Sequence, residues 1–135
     1  MKGYITTCDG ARYELPTLLQ WSFSYTGSVP CDSFSLRCPY DAAMAETLRR
    51  AVRFSAREDG RTEFTGVIDE TYVTCDEKGM QLELSGRGLA ALLLDNEAEA
   101  VSYERATMGE ILKNHVTPYG ILCAGYDEAA APRYR

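Results

Sequence analysis

Between residues 52 and 85, two stretches, 52–57 and 80–85, alternate strictly between apolar and polar side chains, and two glycine-bearing acidic clusters punctuate the segment. Val52, Phe54 and Ala56 alternate with Arg53, Ser55 and Arg57, and Met80, Leu82 and Leu84 alternate with Gln81, Glu83 and Ser85. A period of two sends successive side chains to opposite faces of a pleated strand, so no helix fits this stretch. Glu58-Asp59-Gly60 and Asp76-Glu77-Lys78-Gly79 are tight-turn signals, because Asp-Gly and Lys-Gly supply the left-handed backbone of a hairpin turn. The segment therefore predicts three antiparallel strands joined by tight turns. Its middle strand, from Thr62 to Cys75, is the longest. Unbroken alternation there places Phe64, Ile68 and Tyr72 on one face and Val67, Val73 and Cys75 on the other, so part of it is expected to be covered on both sides.

The same period extends upstream. Gly3 to Thr7 and Arg12 to Leu15 flank Cys8-Asp9-Gly10 and read as a small hairpin. Trp21, Phe23 and Tyr25 alternate with Ser22, Ser24 and Thr26, and Phe34, Leu36 and Cys38 alternate with Ser33, Ser35 and Arg37. Helical signals are few. Asp41 caps a short helix through Met44 and Leu48 after Pro39 closes a strand. Leu89 to Leu94 is an apolar helical run ended by Asp95-Asn96, and Val101-Ser102-Tyr103 reads as a short extended piece. Thr107-Met108-Gly109-Glu110 is a capping box that opens a helix carrying Ile111, Leu112 and Val116 and stopping before Pro118. The fold class is α+β, mainly β: an antiparallel meander forming a split barrel or sandwich, with two to three short helices. Residues 1–126 are expected to form one domain with a C-terminal helical segment, and residues 127–135 a frayed tail with little to bury.

Composition removes several function classes. A chain of 135 residues can bury one ordinary core. A net charge of −6, with basic residues interleaved among acids as in Arg57-Glu58-Asp59-Gly60-Arg61, opposes stable nucleic-acid binding. No apolar run approaches the roughly 20 residues of a membrane span, and the N-terminus lacks the apolar region of a secretory signal. Five cysteines (Cys8, Cys31, Cys38, Cys75 and Cys123) form no CxxC, and with His115 as the single histidine a zinc site of ordinary spacing cannot be assembled. Reduced thiols are expected, with a Cys31–Cys38 bridge open to the chain only if a hairpin brings the two together.

Three constellations invite a chemical reading. Gly86-Arg87-Gly88-Leu89-Ala90-Ala91 is a GxGxxA after a strand and before a helix, the pattern with which a backbone cradles a pyrophosphate. Against it, the preceding strand alternates with Gln81, Glu83 and Ser85, whereas a parallel nucleotide-binding sheet is apolar on both faces. The bland alternative is a strand-to-helix turn that needs glycine. His115 lies near a helix end, where the dipole favours a cation, and no nucleophile motif accompanies it. Asp69 and Glu70 are strand neighbours expected to point to opposite faces, and with Glu97 and Glu99 they read as solvated charge. Trp21, Phe23 and Tyr25 read first as core and secondly as a sugar platform. No catalytic, cofactor-binding or metal residue is assigned, and no cofactor.

From Phe64-Thr65-Gly66-Val67-Ile68-Asp69-Glu70 onward the order of motifs becomes distinctive. A hairpin comes next, then a strand ending Ser85-Gly86-Arg87-Gly88, then Leu-Ala-Ala-Leu-Leu-Leu-Asp-Asn-Glu-Ala, Tyr103, the capped helix and Val116-Thr117-Pro118-Tyr119-Gly120-Ile121. This order resembles the baseplate hub, or late-control tail, proteins of contractile-tailed phages and related prophage elements. The resemblance implies a tail-tube-like domain and a structural, non-enzymatic role. It implies self-association into a ring, a trimer in the full-length protein, that joins the tail tube to the spike in the virion baseplate after synthesis in the bacterial cytoplasm. Family members run to several hundred residues with a second β domain, so the chain is expected to be the N-terminal part of such a hub. An acidic balance suits a tube lumen that passes DNA without holding its phosphates. The competing readings are a nucleotide- or phosphate-binding enzyme fragment using Gly86-Arg87-Gly88, and a small carbohydrate-binding module using Trp21 and Tyr25.

Overall fold

A computed structural model describes residues 1–123 and the backbone of 133–134. The chain divides into two compact units, Met1–Gly88 and Leu89–Arg135. The first unit is one antiparallel sheet of seven strands, β1 (Lys2–Thr7), β2 (Arg12–Glu14), β3 (Gln20–Ser24), β4 (Ser33–Pro39), β5 (Ala51–Glu58), β6 (Arg61–Asp76) and β7 (Gly79–Gly88). Their order across the sheet is β2-β1-β5-β6-β7-β4-β3. The sheet does not close on itself, since β2 and β3 remain its ends, which agrees with a split barrel or sandwich. The meander expected from the alternation is β5-β6-β7. Its first turn sets Asp59 at φ 48° and Gly60 at φ 80°, the double left-handed conformation of a type I′ hairpin turn, whose twist matches that of the strands.

One face of this sheet carries the core: Ile5, Phe34, Leu36, Phe54, Leu82 and Leu84 are buried within it, together with Cys38 and Phe64. Phe34 stacks on Phe54 at 4.6 Å between ring centroids. Between β4 and β5 the chain makes a 3-10 turn, Ala42–Met44, capped by Asp41, whose carboxylate accepts the Ala43 N–H at 2.9 Å. Helix α1 (Ala45–Arg50) comes after it and buries Leu48. Val52, expected to share the face of Phe54 and Ala56, is instead the extra residue where β1 pairs Thr6 with Arg53 and Thr7 with Ala51; it is exposed, and Ala51 packs against the core. Cys31 precedes β4 and Cys38 sits near its far end; along one extended strand that is on the order of 20 Å, so they do not face each other and both are free thiols.

The faces of β6 differ from the expectation beyond Ile68. Ile68 pairs with Gly86 but Glu70 pairs with Ser85, which leaves Asp69 as an extra residue in a β-bulge. A bulge shifts the pleat by one position. Thr71, Val73 and Cys75 therefore lie opposite Leu84, Leu82 and Met80, on the face of Phe64, while Tyr72 lies opposite Glu83 on the polar face. The expected grouping of Phe64 with Tyr72 and of Val67 with Val73 is thus corrected.

The second unit holds α2 (Ala91–Asp95), β8 (Ala106–Thr107), α3 (Met108–His115), a 3-10 turn over Thr117–Tyr119, and β9 (Arg133–Tyr134) paired antiparallel to β8. The capping box forms as read: Thr107 Oγ1 accepts the Glu110 N–H at 3.2 Å, and the Glu110 carboxylate accepts the Thr107 N–H at 2.6 Å. The strand in this region is Ala106–Thr107; residues 101–103, read as extended, are in no strand. The frayed tail expected at 127–135 falls outside the described residues apart from the β9 backbone.

Candidate assembly surface

The two sheet ends differ in chemistry. Strand β2 is three residues long and charged: Glu14 pairs with Lys2 at 3.0 Å, and the Arg12 guanidinium lies 4.0 Å from the centroid of the Tyr4 ring. Short, charged edges resist pairing with another chain. Strand β3 is Gln20-Trp21-Ser22-Phe23-Ser24, with no charge and no proline. Leu19, Trp21 and Tyr25 are exposed along it, Trp21 at 44%. Only Phe23 of the aromatic stripe packs inward, stacked on Phe64 at 5.1 Å. The stripe expected to be core is therefore split, because at the last strand of an open sheet a side chain has a neighbour on one side only. Tyr25 lies beyond the strand; its ring is tilted on Phe64 and its hydroxyl donates to the Glu63 carbonyl.

A third open edge was not anticipated from sequence. β5 pairs with β6 only between residues 61 and 67, whereas β7 pairs with β6 as far as Asp76. Beyond the bulge β6 continues as an edge stretch, the β6 arm, whose residues 69–76 are all exposed, while on its other side β7 stays paired with β4 from Gln81 to Arg87. Tyr72, Val73 and Cys75, with Met80 of β7 opposite Cys75, give the arm apolar side chains on both faces. The signal was present in strand length: β6 has 16 residues and β5 has 8, so about half of β6 has no strand partner on that side among the described residues.

The polar face is laced by cross-strand ion pairs. Arg87 holds Asp69 through two bonds of 2.8 and 3.0 Å, and Arg37 holds Glu83 at 2.6 Å. Glu70 accepts from Ser85 at 3.4 Å. Asp69 and Glu70 thus share one face, contrary to the expectation for strand neighbours, because the bulge sits between them. They stand side by side and are not opposed across a cleft.

Gly86 and Gly88 lie inside β7, paired with Ile68 and Gly66, and neither has positive φ. This corrects both readings of the Gly-Arg-Gly motif. It is no phosphate-cradling loop and no strand-to-helix turn. A Cβ on Gly86 would overlap the Val67 carbonyl and meet the Phe34 ring at 2.8 Å, and one on Gly66 would overlap the Arg87 carbonyl and meet the Phe64 ring at 2.8 Å. The glycines let aromatic rings lie flat over a closely approaching pair of strands.

His115 ends α3, as read. Its Nε2 lies 2.9 Å from the Tyr103 hydroxyl, which accepts from Asn114 Nδ2 at 3.0 Å. The three residues close a hydrogen-bonded cluster within the second unit. A cavity of about 540 Å³ beside them is lined by Leu93, Glu97, Glu99, Val101, His115 and Tyr119, among others, with no Ser, Thr, Cys or Lys in its wall. Among the described residues no three His, Cys, Asp or Glu side chains gather as metal ligands, and no helix is long and apolar enough to cross a membrane.

The first unit is thus an open antiparallel sheet in which β3 and the outer side of β6 beyond the bulge are free edges among the described residues. Solved structures share this fold, two tail proteins among them. A tail protein from Neisseria meningitidis MC58 superposes with a TM-score of 0.59 at 21% identity, covering 86% of this chain and 33% of that one. The 43 kDa tail protein of prophage MuSo2 from Shewanella oneidensis superposes with a TM-score of 0.63 at 19% identity, covering 97% of this chain and 43% of that one. The chain thus spans less than half the length of either. No family model matches the sequence, and no curated protein does.

Proposed function

We propose that the chain is a structural phage tail protein: the tube-like domain of a baseplate hub, acting without catalysis in a ring between tail tube and spike. One observation carries this reading, the fold held in common with two tail proteins over 86% and 97% of the chain. The state of the candidate chemistry supports it. The Gly-Arg-Gly motif is consumed inside a strand, His115 is tied to Tyr103 and Asn114, and Asp69 is held by Arg87. The exposed β3 edge and the apolar β6 arm are what an assembly protein needs and an isolated enzyme domain does not. The protein would be made in the bacterial cytoplasm and end in the virion tail, with tube and spike proteins as its axial partners.

Sedimentation velocity over a wide concentration range, with negative-stain microscopy of the heaviest species, tests the reading. Annular particles are the expected result, trimers for the full-length protein. A chain that stays monomeric up to millimolar concentration overturns ring assembly.

A further inference from the structure

The geometry points to a specific contact between copies: strand β3 of one molecule adds to the outer edge of the β6 arm of the next. This rests on the assembly reading above and names the surfaces that would do it. The two edges match in three respects. Each offers about five residues, Gln20–Ser24 on one side and residues 71–75 on the other. Neither stretch carries a charge or a proline, and Thr71-Tyr72-Val73-Thr74-Cys75 is made almost wholly of residues that favour strands. Each is bordered by exposed apolar side chains on the face that continues the core, Leu19 and Trp21 on the first, Val73, Cys75 and Met80 on the second.

The edges also face opposite ways. β3 ends the sheet on the β4 side, while the unpaired side of the β6 arm is the side on which β5 lies. Within the molecule the two edges are not paired with each other. Between copies they join head to tail, the heterologous contact that closes into rings when the rotation allows. Strand direction agrees. From β6 through β7 and β4 to β3 there are four strands, each antiparallel to the last. A rotation about an axis along the strands preserves direction, so the incoming β3 meets β6 antiparallel, continuing the alternation of the whole sheet. With an odd number of strands it would meet parallel. The third edge, β2, is excluded by its length and charge.

Lysine at an edge position blocks strand addition, so Trp21→Lys closes one surface and Val73→Lys the other. Both side chains are 44% exposed, and each variant is first checked for an unchanged circular dichroism spectrum and melting temperature. Each variant alone is expected to sediment as a monomer at concentrations where the unmodified chain assembles. Mixed in equal amounts, they are expected to give a dimer and nothing larger, because only the β3 of Val73→Lys and the arm of Trp21→Lys remain competent. If the unmodified chain assembles and both variants assemble like it, this contact is wrong while ring assembly stands. If Val73→Lys still dimerises alone, the contact is β3 to β3 and the inference fails. An unmodified chain that never assembles removes both.

Discussion

Gly86 has no room for a side chain, and that decides what its motif means. A methyl there would press into the Val67 carbonyl, which is backbone and cannot swing aside. Gly86→Ala is expected to destabilise the first unit by about 1–3 kcal/mol, the usual cost of overpacking. Gly27→Ala, with nothing within 4 Å, should move the urea midpoint hardly at all. Equal midpoints for the two variants would show that the close strand approach is not needed. Cys38 makes a second residue-scale case. Burial pushes its thiol up to about 11 from an ordinary 9.0, since the thiolate would lose its water. The folded chain then holds this proton where the unfolded chain has released it. Stability from this group is full below pH 9 and falls as pH rises through about 11. Urea midpoints measured from pH 8 to 11 should decline, and less steeply in a Cys38→Ala chain. In the native state alkylating reagents should reach Cys8, Cys75 and Cys123, which are exposed, before Cys38. What sequence hid at this scale was position along the strand. A Gly-x-Gly after an alternating run reads alike whether the glycines sit at its end or inside it; the rings of Phe34 and Phe64, 52 and 22 residues upstream of Gly86, decide the matter, and only folding brings them there.

At the scale of elements, the meander and the capped helix were legible because each rests on local rules: period two, Asp-Gly turns, and Thr and Glu three apart. The capping box gives the next prediction. Thr107→Ala removes one acceptor for the first-turn N–H groups of α3, at a cost of about 1 kcal/mol. Hydrogen exchange of amides 110–115 should speed up several-fold while the amides of β5, β6 and β7 keep their rates. Acceleration spread over the whole chain would mean that α3 is not a locally capped unit. The bulge at Asp69 leaves one trace in the sequence, the pair Val67-Ile68 followed by Asp69-Glu70, which interrupts the period of two, and extending the period through it reverses the faces downstream. The bulge also explains why the arm is apolar on both sides: the shift brings Val73 and Cys75 to the core face at the open edge, beside the buried Leu82 of β7, and leaves Tyr72 on the polar face. The Arg87–Asp69 pair marks the site, and a pair this exposed contributes little to stability, on the order of 0–1 kcal/mol.

For the molecule as a whole, the telling feature is where the core stops. Every residue of the buried cluster, from Ile5 to Leu84, belongs to the first unit, and buried side chains after Gly88 are limited, among the described residues, to Ala91 and Ala106. The apolar side chains of that cluster are all supplied by residues 1–88. A chain ended after Gly88 is therefore expected to keep a β-sheet circular dichroism spectrum and a single cooperative urea transition, with a midpoint close to that of the full chain. One continuous domain over residues 1–126 predicts the opposite, a truncated chain that fails to unfold cooperatively. The truncation also separates folding from assembly. Both β3 and the β6 arm lie before Gly88, so the shortened chain should form the same head-to-tail contacts, and Trp21→Lys should abolish them in it as in the full chain. If the shortened chain folds yet no longer assembles, the residues after Gly88 take part in the contact between copies.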